Sequence, residues 1–206
     1  MAGSAEESAS LWKGVQPLGT QWWMSETSGE QPGFIGEGQD KKGNPKPGAW
    51  ALASRIHNAL VYGNASAWVY WCFSGHSKNV TDAAAGEALM NGLEPSKKYF
   101  VSKQYYRFIR PGAVRVEAGP DGENNLQVSA FLHEKNHTLT IVLLNHDTKE
   151  AKLTLDVKGA PAVHAYDVYR TSQTEDCAKL PALTVSGKLA VTLPPQSIVT
   201  LYGQAR

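Results

Sequence analysis

The stretch Trp22-Trp23-Met24-Ser25-Glu26 constrains the fold more than any other part of this chain, because it is an apolar run that ends on a carboxylate. Strands buried on both faces read as unbroken apolar runs, the pattern of parallel sheets. Stopping such a strand on Glu26 puts a charge at the rim of a core, where desolvation is costly unless the group has a role. In (β/α)8 barrels the catalytic groups occupy these carboxyl ends of strands. The plainer alternative is a solvated Glu just past a strand, and the flanking sequence has to decide.

After Glu26 comes Thr27-Ser28-Gly29-Glu30 and then a Gly/Pro/Lys-rich stretch through Gly48, dense enough in breakers to predict loop. From Trp50 to Tyr62 the apolar residues recur at helical spacing, and Gly63 supplies a stop. Ala65 to Trp71 reads as a second buried strand. Strand, long loop, helix and strand make one βαβ unit with its loop at the carboxyl end, where such architectures carry function. A second amphipathic stretch, Lys97 to Ile109, predicts a helix whose Tyr99, Phe100, Tyr105, Tyr106 and Phe108 form a core stripe. Arg110-Pro111-Gly112 ends it and marks a domain boundary. Beyond it the pattern turns to short runs with turn residues between them: Val114–Glu117, Leu126–Leu132, Leu139–Leu144, Lys152–Val157, His164–Tyr169, Leu189–Leu193 and Ile198–Tyr202. Seven such strands predict an all-β sandwich.

Four segments, in order along the chain, resemble glycoside hydrolase family 30. They are Gln21 to Glu26, Gly63 to Trp71, Arg107 to Val116, and the tail from Tyr169-Arg170-Thr171-Ser172 to Leu193-Pro194-Pro195-Gln196-Ser197-Ile198-Val199-Thr200-Leu201. The resemblance implies a partial (β/α)8 TIM-barrel segment over residues 1–112, followed by a side β-sandwich over residues 113–206. Family members are retaining enzymes acting on xylans, β-1,6-glucans or galactans, or glucosylceramides. The resemblance places Glu26 on the family's nucleophile, at the end of barrel strand seven. Trp71 falls near the end of strand eight, where it would bind substrate. The family's acid/base Glu belongs to strand four, which would lie upstream of Met1. A whole barrel needs about 250 residues, more than the 206 of this chain. The expectation is a C-terminal portion, inactive alone, whose natural packing partner is the N-terminal part of the barrel.

The resemblance implies a carbohydrate substrate, no metal or organic cofactor, and a parent enzyme that is secreted or periplasmic. Members that grip a glucuronate branch carry Tyr and Arg just after strand eight, since Arg forks suit carboxylates. Here Trp71-Cys72-Phe73-Ser74-Gly75-His76 holds no Arg, which speaks against glucuronoxylan specificity. With 20 basic and 19 acidic residues and a net charge of +1, no electrostatic case exists for nucleic acid or an anionic membrane. The first residues show no signal peptide, and no apolar run approaches the ~20 residues that span a bilayer. Cys72 and Cys177 fall in different predicted domains and read as free thiols. Glu30, Glu37 and Glu87 read as loop or helix carboxylates, poor substitutes for the acid.

His133-Glu134-Lys135-Asn136-His137 matches the H-E-x-x-H zinc motif, which works only where a helix puts both imidazoles on one face. Flanked by β-rich runs, it reads instead as a hairpin with Lys135-Asn136 at the tip and both His on solvated strand ends. Asn64, Asn79 and Asn136 head formal glycosylation sequons, the first discounted because it opens a predicted buried strand. The rival to the glycosidase reading is a non-catalytic carbohydrate-binding or interaction module built on the sandwich.

Overall fold

The computed structural model describes residues 3–75, 87–119 and 125–205. The chain divides into two compact units, Met1–Ser102 and Lys103–Arg206.

The first unit opens with α1 (Ala5–Val15), set by a capping box in which Ser4 Oγ accepts from Glu7 N at 3.1 Å and Glu7 Oε2 accepts from Ser4 N at 3.2 Å. Two short strands follow, β1 (Trp23–Met24) and β2 (Ala67–Trp68), separated by α2 (Ala49–Val61). They pair in parallel with Trp23 opposite Ala67 and Met24 opposite Trp68, completing the βαβ unit expected from sequence. The ladder runs on beyond the strands: Val69 N donates to Met24 O at 2.8 Å and Trp71 N to Thr27 O at 2.8 Å. Helix α2 buries Leu52, Ala53, Ile56 and Ala59, and Trp68 and Tyr70 are buried too. The breaker-rich loop folds back on itself, with Gln31 N donating to Pro47 O and Lys46 N to Gly38 O. Its two arms touch backbone to backbone, since a Cβ on Gly36 would lie 1.8 Å from Lys46 O and one on Gly48 2.4 Å from Gly36 N. A small sheet of β3 (Ser74–Gly75), β4 (Met90–Asn91) and β5 (Glu94–Pro95) precedes α3 (Lys97–Tyr106).

The second unit is the sandwich. Its large sheet has the order β11-β10-β13-β8-β7-β6, made of β6 (Val114–Val116), β7 (Leu126–His133), β8 (Thr138–Asn145), β10 (Val163–Thr171), β11 (Ala178–Thr184) and β13 (Ser197–Ala205). A two-stranded sheet of β9 (Ala151–Leu155) and β12 (Leu189–Leu193) supplies the other layer. Alternation decides what faces inward: Leu126, Val128 and Ala130, then Leu139, Ile141 and Leu143, then Val199 and Leu201, join Leu189, Val191 and Leu193 in one core. The opposite face of the large sheet is covered as well. Thr200 and Thr140 hydroxyls donate at 3.0 Å to Gln104 O and Phe108 O, and Phe108 packs on Tyr169 at 4.6 Å between ring centroids. Every residue of β8 is therefore buried.

Strand β11 went unforeseen because Pro181 interrupts it; at the sheet edge Pro costs no ladder hydrogen bond. The zinc-like motif is a hairpin turn between β7 and β8, as its flanks indicated. One expectation there is corrected. His133 is buried, not solvated, because the chain brings Pro111 O to 3.0 Å from its Nε2, while its Nδ1 accepts from Asn136 N at 3.2 Å. With Nδ1 accepting, Nε2 carries the proton, and both ring nitrogens are engaged. Asn64 is also exposed, at a positive φ of 48° in the turn before β2, rather than opening a buried strand. Asn79 lies outside the described residues. Both cysteines are free.

Candidate active site

Glu26 stands two residues past β1, with its side chain exposed. Its neighbour Thr27 is buried and accepts the Trp71 amide, so the ends of the two strands are tied together where the two candidate residues sit. Trp71 is 52% exposed, and Trp23 and Val69 are exposed alongside. These side chains share a face by the alternation of a strand, opposite buried Trp68 and Tyr70. The parallel pair thus has one face packed and one bare, the bare one carrying two indoles and an isopropyl group, with the exposed Glu26 just past the end of β1.

Directly after the site the chain turns into β3. Phe73 is exposed and meets Tyr99 edge-on at 6.5 Å, while Ser74 Oγ donates to Gly92 O at 2.8 Å. Neither Cys72 nor these residues offers a guanidinium, and His76 lies outside the described residues.

Glu30 is a loop carboxylate, and it is fully buried, ion-paired with Arg55 of α2 and accepting the Tyr70 hydroxyl at 3.0 Å. Lys98 of α3, also fully buried, lies 5.5 Å over the Tyr70 ring. Burial pushes the Lys98 ammonium down to about 8, an effect the Glu30 and Cys72 charges oppose. Burial first, and the Glu30 carboxylate second, hold the Tyr70 phenol far above its usual range. A signal for this cluster was present in the sequence: Arg55 sits three residues after Leu52 and four before Ala59, on the apolar stripe of α2. A charge there needs a buried partner. Glu37 and Glu87 are exposed.

Residues 112–201 match the family model described as the glycosyl hydrolase family 30 β-sandwich domain. The sandwich is similar to that domain along most of its length. The likeness reaches further than that model: the glucuronoxylanase XynC of Bacillus subtilis (strain 168) is 25% identical over 183 residues, 88% of this chain. The GH30 endoxylanase of Clostridium papyrosolvens C71 superposes with a TM-score of 0.73 at 25% identity over 98% of the chain. The subfamily 8 xylanase Xyn30A of Clostridium acetobutylicum gives 0.70 at 26% identity over 93%. This chain spans only 39% of the length of the Bacillus relative and 46% and 44% of the two clostridial chains. It resembles the C-terminal portion of family 30 proteins, sandwich included. Among the described residues no helix is long and apolar enough to cross a membrane.

Proposed function

We propose that this chain forms the C-terminal part of a retaining β-glycoside hydrolase acting on a xylan-type polysaccharide, with Glu26 as nucleophile and Trp71 as a substrate-binding aromatic. The observation that carries the reading is the pairing of an exposed carboxylate and an exposed indole at the ends of adjacent parallel strands. Retaining hydrolysis needs two carboxyl groups about 5–5.5 Å apart, one attacking the anomeric carbon and one acting as acid and then as base. Glu26 is free to attack, whereas Glu30 is committed to Arg55 and Tyr70 and is closed to a substrate. The acid then comes from barrel strands outside this chain, and the bare face of β1 and β2 is where they pack. The relatives are xylanases by name, one of them a glucuronoxylanase. Without an Arg between Trp71 and His76, unbranched xylan is favoured over the glucuronate-branched polymer.

The sandwich is a poor candidate for a separate sugar-binding module. Flat aromatic faces that stack on sugars must be exposed; Phe108, Phe131, Tyr166 and Tyr169 are buried, and Tyr202 is half-buried against Phe108.

The chain alone should hydrolyse aryl β-xylosides no faster than buffer, because positioning and protonation are both missing. Joined to the upstream barrel of the Clostridium papyrosolvens endoxylanase, it should cleave xylan, and Glu26→Gln should abolish that turnover. Azide should rescue Glu26→Gly on an activated substrate and yield the inverted glycosyl azide. Retained activity in Glu26→Gln, or labelling of another residue by a mechanism-based fluoro-sugar, would overturn the assignment.

A further inference from the structure

We propose that Glu30 is a positioning residue that locks the two strand ends of the site together, an inference that rests on the reading of Glu26 and Trp71 above. The geometry forms a closed ring with two cross-links. The Trp71 amide donates to Thr27 O at 2.8 Å, next to Glu26. One residue earlier on the same strand, the Tyr70 hydroxyl donates to Glu30 Oε2 at 3.0 Å, four residues after Glu26. Glu30 Oε1 takes the Arg55 guanidinium from α2. The loop that follows the nucleophile is thus held to the strand that carries the aromatic through both backbone and side chain.

Burying this carboxylate with its cations is an expensive way to fill space, since well-packed apolar residues commonly stabilise as much or more. What the charges add is direction. Glu30 holds the Tyr70 hydroxyl by a hydrogen bond, and the Lys98 ammonium lies 5.5 Å over the face of the same ring. Trp71 is covalently next to Tyr70 and half exposed, so its indole has little packing of its own to fix it. Its orientation then depends on the anchored ring beside it.

The test uses the 206-residue chain labelled with 5-fluorotryptophan and read by fluorine NMR without substrate. The Trp71 line is identified by its loss in Trp71→Phe, and the Trp12 line on α1 serves as reference. The expected result is one sharp Trp71 line in the parent chain, and a broadened or split line in both Glu30→Gln and Tyr70→Phe with Trp12 unchanged. A Trp71 line that stays sharp in either folded variant overturns the proposal. So does failure of Tyr70→Phe to fold, since loss of one oxygen would then show a purely structural role. If Glu30→Gln does not fold, Tyr70→Phe alone decides. Because no substrate is present, this outcome is independent of fluoro-sugar labelling at Glu26, and the two readings fail separately.

Discussion

Both units contain a sheet with one face packed on a neighbouring layer, and among the described residues the sandwich alone covers the second face. Its large sheet has β9 and β12 on one side and the Gln104–Phe108 segment on the other, and its buried core is built from Leu, Val and Ile. The buried Asn145 amide there is well matched: its Nδ2 donates to Lys149 O, Leu193 O and Pro194 O. The parallel pair of the barrel segment has two residues in each strand and a bare face holding Trp23, Val69 and Trp71, and the segment buries Glu30, Tyr70 and Lys98 with Arg55 beside them. Parallel sheets are ordinarily covered on both sides. The difference teaches that one region covers both faces of its sheet and the other leaves one bare.

The two regions can be followed separately, since all six tryptophans precede residue 72 and report the barrel segment alone. The largest effect is expected in the sandwich. Leu201→Ala opens a cavity in a core with no slack and should cost about 2–5 kcal/mol, seen as an earlier far-UV transition. An unchanged midpoint would mean the sandwich core is looser than its burial indicates. Next comes Glu30→Gln, which leaves buried cations without their anion. It should destabilise the tryptophan-reported unit by roughly 2–3 kcal/mol, below the usual cost of breaking a buried pair because Arg55 keeps 23% exposure. A parallel loss in the far-UV transition of the sandwich would erase the contrast between the regions. Smaller again is the effect of the bare face. The chain should bind a hydrophobic dye, and Trp23→Ser with Val69→Ser should lower that signal severalfold without moving the sandwich transition. A dye-silent parent chain would count against an uncovered face.

What the sequence made legible follows from range. Helix α2 was read to within a residue at each end because its 3.6 periodicity and Gly63 are local. Strands β7, β8 and β12 were equally plain from their apolar runs. Both strands of the βαβ unit were found, yet each is only two residues of regular ladder, since their length depends on neighbouring strands. Glu26 and Trp71 were legible as strand ends. Glu30 was not: its burial is fixed by Arg55, 25 residues on, and Tyr70, 40 residues on, and a Gly-rich surrounding conceals both. His133 was misjudged for the same reason, because Pro111 lies 22 residues away.

The smallest effect is the most specific to the buried cluster. Burial holds Lys98 down to about 8, against an ordinary value of 10.5. Between these values the unfolded chain carries a proton that the folded chain has shed, so stability should rise with pH across that window. Below pH 8 both states are charged and the cost of burying the ammonium is constant. From pH 8 to 9 the gain should be about 1 kcal/mol, from the slope of 1.36 kcal/mol per unit for a fully displaced proton. Above that, Tyr70 opposes it: its phenol is held protonated by burial and Glu30, so stability is lost once the unfolded phenol ionises. Glu30, Tyr70 and Cys72 are among the groups that face Lys98, and Arg55 neutralises Glu30 from α2. Urea unfolding followed by tryptophan emission at pH 8 and 9 should show the gain in the parent chain and its loss in Lys98→Met. Equal pH dependence in the two proteins would mean that water reaches Lys98, and the barrel segment would then lack the dry charged core that sets it apart from the sandwich.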